Sequence, residues 1–181
     1  MKIGMMVGEG SGAAPELEGL VARGKAAEAA GLDSAWIANI ALDGMTAAAV
    51  LGASTSRIEI GTAVMPTYTR HPTAMGQQAA STQLACGGRF TLGIGLAHKF
   101  MVENAWGLSY DKPASHMRAY LDVLMPLMHR QPVQHESDHY RVNLQPPPAP
   151  TDTSVLVAAL GPVMLKLTGE LADGTITWAT G

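Results

Sequence analysis

Hydrophobic and polar positions follow a repeating order, in which a short apolar run precedes a stretch with apolar residues at helical spacing. The apolar runs predict six strands, over Lys2–Gly8, Ser34–Ile40, Arg57–Pro66, Arg89–Ala97, Ser154–Leu160 and Gly174–Thr180. The other stretches predict five helices, over Pro15–Ala30, Gly44–Ser54 behind a capping Asp43, Pro72–Cys86, Ser115–His129 and Pro162–Ala172. Strands that alternate with helices predict parallel βαβ units around one sheet.

Two segments interrupt this alternation. Phe100–Pro113 has the pattern of a long loop that holds at most one turn. Arg130–Pro150 begins polar and ends rich in proline. Its polar part, VQHESDHYRVN, predicts either a short hairpin or an extended excursion, and its QPPPAP part predicts a stiff connector. We interpret Arg130–Pro150 as an insertion within a single domain that covers residues 1–181.

The predicted strands are apolar on both faces, which is typical of strands covered by helices. Two architectures satisfy this pattern: an open doubly wound sheet and a (β/α)8 barrel. The chain has 181 residues, whereas a complete barrel needs eight strands and typically about 250 residues. The strand count by itself therefore favours the open sheet.

Composition narrows the class of protein further. Hydrophobic residues make up 47% of the chain and charged residues 15%, which favours a well-buried α/β domain over disorder. The net charge is −3 and the basic residues are scattered, which argues against nucleic-acid binding. No apolar run approaches the roughly 20 residues that span a bilayer, and the first residues lack a signal-peptide pattern. Cys86 is the single cysteine, so we expect a cytoplasmic protein in which Cys86 is buried at a helix end.

The stretch RFTLGIGLAHK (Arg89–Lys99) distinguishes two kinds of ligand site. Gly93 and Gly95 fit the first two glycines of the dinucleotide fingerprint G-x-G-x-x-G, but His98 occupies the third position. The stretch also forms the fourth predicted strand, whereas the fingerprint follows the first. We therefore reject a nucleotide phosphate loop. Glycines late in a strand instead let a flat ligand approach the backbone.

Residues that directly follow the strands form a candidate site. The carboxyl ends of parallel strands meet at one face of the sheet, which is the active face of α/β proteins. That face would collect Asn39, Val64–Thr67, Leu96–His98, Gly161 and Thr180. The topology gives the place of the site, but it does not specify the chemistry.

A few further side chains allow alternatives. Trp36 is predicted in the core, whereas Trp106 is predicted either to line the loop over the pocket or to form a subunit contact. Arg70 precedes a helix and can face solvent or bind a substrate phosphate, and we favour solvent. His135 and His139 are four residues apart, but HESDH does not match the zinc motif H-E-x-x-H, so we predict no metal site.

Three stretches carry a resemblance to a known family: IEIGTAVMPTYTRHPTAMGQQAAS, RFTLGIGLAHKFMVENAWGLSYDKPASHMRAYLDVL and VLVAALGPVMLKLTGELADGTITW. In this order they resemble the luciferase-like monooxygenase superfamily, most of all its oxidoreductases that depend on the deazaflavin coenzyme F420. The resemblance implies a (β/α)8 TIM-barrel fold instead of the open sheet, with the insertion at Arg130–Pro150. It also implies an incomplete barrel that lacks the last two βα units. Partner subunits would cover part of the open sheet edges, and we expect a homodimer.

The resemblance further implies which residues bind the cofactor. Relatives carry a cis peptide bond behind the deazaflavin ring, and Ala63–Val64 is the matching bond. The Leu160–Pro162 turn matches the phosphate side, where a helix N-terminus offers free N–H groups. The expected cofactor-binding residues are Asn39, Ala63, Val64, Met65, Leu96, Ala97, Leu160, Gly161, Pro162 and Thr180.

The sequence departs from the sugar-phosphate dehydrogenases of this branch at two positions. Those enzymes have an Asp-His pair after the second strand, where this chain has Asn39–Ile40. They have an acidic catalytic residue where this chain has His98, whose imidazole can exchange a proton near neutral pH. We therefore predict His98 as the catalytic residue and do not transfer the sugar-phosphate reaction.

These expectations combine into one function and two alternatives. We expect an oxidoreductase that uses coenzyme F420 for hydride transfer to or from a small organic substrate. A monooxygenase dependent on flavin mononucleotide (FMN) is the first alternative. An inactive fragment that acts only through subunit association is the second.

Overall fold

The computed structural model describes residues 1–8, 16–145 and 152–178, which form a main sheet, five helices and a separate hairpin. The strands are β1 (Gly4–Met6), β2 (Ser34–Ile37), β3 (Glu59–Thr62), β4 (Met65–Pro66), β5 (Phe90–Gly95), β6 (Val133–Glu136), β7 (Arg141–Leu144), β8 (Ser154–Ala158) and β9 (Gly174–Ile176). The helices are α1 (Leu17–Ala29), α2 (Gly44–Ala53), α3 (Pro72–Ala85), α4 (Pro113–Met128) and α5 (Pro162–Leu171).

The strand order of the main sheet decides between the two architectures. The order is β1-β2-β3-β5-β8-β9, and every neighbouring pair is parallel. The short strand β4 also pairs with β5 in parallel, beyond the point where the pairing of β3 with β5 ends. The strands therefore follow one another in chain order, without the reversal that marks a doubly wound sheet. The sheet curls into a half-barrel, so the incomplete TIM-barrel fold is confirmed and the open sheet favoured by strand count is wrong.

The third predicted strand, Arg57–Pro66, is interrupted in the structure. β3 ends at Thr62, the Ala63–Val64 peptide bond is cis as predicted, and β4 begins at Met65. Ala63 N–H still donates to Ile37 O of β2 at 2.8 Å, whereas the pairing with β5 stops at Gly61 and resumes only at Met65. The single strand predicted from the apolar run is therefore two strands, because the backbone leaves the β5 ladder between them.

The helices begin close to the predicted residues. α2 follows Asp43, whose carboxylate accepts a hydrogen bond from Thr46 N–H at 2.8 Å and so forms the predicted cap. α4 begins at Pro113 instead of Ser115, because proline fits the first turn of a helix. The preceding loop contains one turn of π-helix, Met101–Ala105. No helix in the described ranges is both long enough and apolar enough to cross a membrane.

The core lies between the sheet and its helices. Buried strand residues such as Ile60 and Leu92 pack against the helices, and α4 contributes Leu124. The helices α2 and α3 approach closely, since a Cβ atom at Gly52 would lie 2.3 Å from Cys86 Sγ. Cys86 is fully buried at the end of α3, as predicted, and burial raises the pKa of its thiol to about 11.

The polar half of the insertion forms the hairpin, one of its two predicted structures. β6 and β7 pair antiparallel, with Val133 opposite Leu144. Val133 and Val142 are buried, so one face of the hairpin covers part of the core near α4. The proline-rich residues 146–151 lie outside the described residues.

Candidate functional site

Two cavities open at the carboxyl ends of the strands. We call the first the central cavity; it has a volume of about 870 Å³ and is bordered by strand residues that include Trp36, Gly95, Leu156, Ala158 and Ile176. We call the second the side cavity; it has a volume of about 760 Å³ and is bordered by residues that include Asn39, Asp43, Thr69, Arg70, Met101 and Trp106. Both volumes lie within the range of small-molecule sites.

The two cavities adjoin along a set of common residues, which we call the shared wall. It consists of Ile40, Ala63, Val64, Ala97 and His98, which border both. The cis bond Ala63–Val64 forms one part of the wall, and Ala97, in the left-handed region at φ 61° and two residues after β5, forms another. His98 is exposed to solvent. Ligands in the two cavities would therefore meet at this wall.

Trp36 forms part of the central cavity surface. A Cβ atom at Gly61 would lie 2.2 Å from Cζ3 of Trp36, so the indole rests directly on Gly61. The Trp36 Nε1–H group donates to Ser34 Oγ at 2.9 Å and fixes the ring. The prediction that Trp36 belongs to the core is wrong, because its strand position faces the inside of the half-barrel, where the ring is partly exposed.

Gly95 allows the cis segment to approach β5. A Cβ atom at Gly95 would lie 2.7 Å from Val64 Cγ2 and 3.3 Å from Ala158 Cβ. Thr67 N–H donates to Gly95 O at 2.9 Å and ties the end of β4 to the same residue. The absence of a side chain at Gly95 thus leaves room for Val64 and Ala158, and the approach of a flat ligand to this glycine stays a prediction.

Arg70 lines the side cavity and forms an ion pair with Asp43, so the prediction that it faces solvent is wrong. The Asp43 Oδ1 atom also accepts hydrogen bonds from Thr46 N–H at 2.8 Å, from Thr46 Oγ1 at 2.8 Å and from Gln78 Nε2 at 3.0 Å. Burial alone would raise the pKa of Asp43, but the Thr46 hydrogen bonds and the Arg70 charge outweigh it, and the pKa lies below its usual value. Asp43 is therefore an ionised anchor for Arg70.

The loop before α4 covers both cavities. Trp106 and Met101 line the side cavity, so the first of the two roles predicted for Trp106, lining the pocket, is confirmed. Tyr110 lines the central cavity, and its hydroxyl lies 3.5 Å from Ala97 O in the shared wall. The same ring stacks on Tyr68 at a centroid distance of 5.5 Å. The loop is therefore packed against the wall.

A buried histidine supports this stack from behind. The His116 ring is parallel to Tyr68 at 4.1 Å, and its Nε2 atom lies 3.0 Å from Thr67 Oγ1. Burial, together with a smaller contribution from the nearby His139, lowers the pKa of His116 to about 4. His116 is therefore neutral at physiological pH and holds the segment that follows β4.

Most predicted site residues border a cavity. Leu96 and Leu160 line the central cavity, Asn39 lines the side cavity, and the shared wall contains Ala63, Val64, Ala97 and His98. Asn39 Oδ1 also accepts a hydrogen bond from Gly44 N–H at 3.0 Å, which fixes the amide at the start of α2. The structure therefore brings these residues together from four separate parts of the chain.

Other predicted residues lie elsewhere. Met65 is fully buried, and its Sδ atom lies 2.9 Å from the place of a Cβ atom on Gly44, so it packs behind the site. Gly161 and Pro162 begin α5, and no described side chain caps this helix. Thr180 lies outside the described residues.

Sequence reasoning missed the inward-facing strand positions. On β8, Val155 and Val157 are fully buried, whereas the alternate residues Leu156 and Ala158 line the central cavity. This alternation has the period of two that any strand imposes. The period could have identified the lining residues, but both faces of the strand are apolar, so hydrophobicity does not separate them.

Comparison with known proteins identifies the family. The family model described as luciferase-like monooxygenase matches residues 1–181. The chain belongs to this family. Among its relatives, a Mycobacterium tuberculosis protein with the provisional name of a coenzyme F420-dependent oxidoreductase is 31% identical to this chain over 191 residues. The match covers 96% of this chain and 54% of that protein, so the chain spans about half the length of the curated relatives it matches.

Solved structures of other proteins share the fold of this chain. The coenzyme F420-dependent tetrahydromethanopterin reductase from Methanopyrus kandleri matches with a TM-score of 0.80 at 23% identity, over 97% of this chain and 55% of that one. A Baeyer–Villiger monooxygenase component from Pseudomonas putida, solved with FMN, matches with a TM-score of 0.75 at 16% identity, over 97% of this chain and 57% of that one. Of these two proteins that share the fold, one is therefore described as F420-dependent and the other is in complex with FMN.

Proposed function

We propose that this luciferase-like protein is an oxidoreductase that binds coenzyme F420 in the central cavity. In this proposal a hydride moves between the cofactor and a small organic substrate in the side cavity. The observation that carries the proposal is the shared wall, which brings the contents of both cavities together at the cis bond and His98. The F420-dependent names of the relatives support the choice of cofactor.

The central cavity fits a flat ring system. Its surface includes the apolar side chains Trp36, Leu156 and Ile176, and Gly95 contributes no side chain at all. A Cβ atom at Gly95 would already overlap Val64 at 2.7 Å, so the free surface beside the cis segment depends on this glycine. A mostly apolar pocket with a few polar groups at one wall is the usual form of a cofactor site.

The chain's own residues would position the ligands and handle a proton. Ala63 and Val64 would support one face of the ring, and the α5 N-terminus at Gly161 would face the phosphate-bearing end, where free N–H groups favour an anion. When bound, the cofactor supplies the exchange of two electrons as a hydride. His98 would give or take the accompanying proton at the substrate heteroatom.

The second candidate is an FMN-dependent monooxygenase. The similarity to the FMN-bound structure from Pseudomonas putida favours it, since that protein has the same fold with a flavin. The two cofactors have related planar tricyclic rings, and none of the described residues that border the central cavity is an aspartate, glutamate, lysine or arginine that would select one ring over the other.

Titration with both cofactors tests the proposal. We expect absorbance and fluorescence titrations to give tight binding of F420 and weaker binding of FMN. Ala158→Phe fills the central cavity and should weaken F420 binding, whereas the matched variant Thr69→Phe fills the side cavity and should leave it. Tight FMN binding without F420 binding would favour the second candidate. Binding of neither cofactor would reject both and favour a role through association alone.

A further inference from the structure

We infer that the Asp43–Arg70 ion pair makes the side cavity selective for an uncharged carbonyl compound and against carboxylates and phosphates. The inference rests on the proposed function only in taking the side cavity as the substrate site. Asp43 and Arg70 are the charged side chains among the described residues that border this cavity, and His98 is its titratable one. Their opposite charges give the lining no net charge apart from His98.

The carboxylate of Asp43 is held so that it cannot turn away from Arg70. Its Oδ1 atom accepts three hydrogen bonds, from the Thr46 amide, the Thr46 hydroxyl and Gln78 Nε2, so the α2 and α3 helices both hold it. Its Oδ2 atom receives Arg70 Nη2. A carboxylate in this position is a permanent counter-ion, and not a group that a ligand displaces.

The positive charge of Arg70 is therefore balanced by Asp43, while the Arg70 side chain still borders the side cavity. Its side chain is 25% exposed and that of Asp43 is 28% exposed, so both are largely withdrawn from water. An anionic ligand would add an uncompensated negative charge near Asp43, and partial burial makes this repulsion stronger than on an open surface. The guanidinium has five N–H donors, of which Nη2 binds Asp43, so it can still donate to a neutral oxygen acceptor.

The remaining surface of the side cavity suits the body of such a compound. Ile40, Pro66, Met101 and Trp106 supply apolar area, and a neutral carbonyl compound is also a chemical class that can accept a hydride. The Asp43–Arg70 pair thus favours uncharged ligands over anionic ones, because its two charges balance each other.

A matched pair of ligands tests this inference directly. The probes are 4-oxocyclohexane-1-carboxamide and 4-oxocyclohexane-1-carboxylate, which are nearly equal in size and differ by one charge. We expect calorimetric titration, without added cofactor, to give carboxamide binding that is about tenfold tighter than carboxylate binding. Because this assay needs no cofactor, its failure is separate from failure of F420 binding.

Two substitutions should move carboxylate affinity in opposite directions. Asp43→Asn keeps a good helix cap and frees the Arg70 charge, so carboxylate affinity should rise and the tenfold preference should vanish or reverse. Arg70→Met leaves Asp43 unbalanced, so carboxylate affinity should fall further. Glu136→Gln removes the same charge from the exposed hairpin pair with Arg141 and should change neither affinity.

The outcomes separate selectivity from a structural role. A merely structural pair would lower the affinities for both probes together in both variants, and that result would overturn the inference. Wild-type preference for the carboxylate would also overturn it. If Asp43→Asn lowers the melting temperature strongly, Arg70→Met still decides, because charge balance requires it to weaken carboxylate binding more than carboxamide binding.

Discussion

The Thr62 hydroxyl bonds to both backbone groups of Gly93 on the neighbouring strand. It accepts a hydrogen bond from Gly93 N–H at 2.9 Å and donates one to Gly93 O at 2.9 Å. The backbone pairing of β3 with β5 reaches only Gly61 opposite Thr91. The side chain therefore takes over the ladder where the backbone turns away toward Ala63–Val64.

This relationship predicts a large effect of a small substitution. Thr62 is fully buried, so Thr62→Val would leave the N–H and C=O of Gly93 without partners and should lower the free energy of unfolding by about 2–4 kcal/mol. Thr62→Ser keeps the hydroxyl and should lower it by about 1 kcal/mol through the lost methyl group. Urea unfolding followed by circular dichroism measures both. Equal losses in the two variants would show that the hydroxyl contributes nothing.

The pKa of His116 predicts a loss of stability in acid. Burial and the nearby His139 lower this pKa from 6.5 to about 4, so the unfolded chain binds the proton more readily than the folded one. The contribution of His116 to the free energy of unfolding is therefore fully present above pH 6.5. It is lost as the pH decreases from 6.5 to about 4, by an amount on the order of 3 kcal/mol. The groups around His116 are Thr67, Tyr68, Tyr120, His139 and Tyr140.

The substitution His116→Gln isolates this contribution. Glutamine can keep a hydrogen bond to Thr67 but carries no proton that titrates in this range. Urea unfolding at pH 7.5 and pH 4.5 should therefore show a smaller difference between the two pH values in the variant than in the wild type. An unchanged difference would assign the acid sensitivity to other groups.

The fold was predictable because its signals are local. Helix starts such as Asp43 with Thr46, and apolar runs such as Ser154–Ala158, reflect hydrogen bonding and burial that a short segment determines by itself. Strand order is not local, and strand count alone pointed to the wrong architecture. The resemblance to a known family supplied the order that periodicity could not.

The site was predictable only in part for a related reason. Asn39 and His98 were found because they directly follow strands, whereas Trp36 was missed because an apolar residue in a strand gives the same signal on either face. Arg70 was considered, but its ion pair with Asp43 was missed because the two residues are 27 positions apart and neither segment by itself indicates the pairing. Long-range ion pairs appear only when the fold brings the segments together.

Gly95 predicts a coupled loss of stability and ligand binding. In Gly95→Ala the new methyl group would lie 2.7 Å from Val64 Cγ2 and 3.3 Å from Ala158 Cβ. The cis segment, which is part of the shared wall, must therefore shift. We expect a lower melting temperature and at least a severalfold loss of cofactor affinity, measured by thermal unfolding and fluorescence titration.

A second glycine provides the control for this variant. Gly169 lies within α5, and a Cβ atom there would meet no described atom within 4 Å. Gly169→Ala should stabilise the protein by about 0.5–1 kcal/mol, because alanine favours a helix more than glycine does. Cofactor affinity should not change in this variant. A Gly95→Ala protein that binds cofactor like the wild type would contradict the close packing at the wall.

His98 predicts a separation of catalysis from binding. It borders both cavities and is exposed at the rim, so His98→Gln should keep the wall and the packing while removing the group proposed to exchange the proton. We expect kcat to fall by about 10²-fold or more, the usual range for loss of a general acid or base, while the Kd of the cofactor changes little. Turnover and titration on the same preparation measure the two quantities. If kcat is unchanged, the proton must come from solvent or another group, and if kcat and cofactor affinity fall together, His98 acts as part of the binding wall instead.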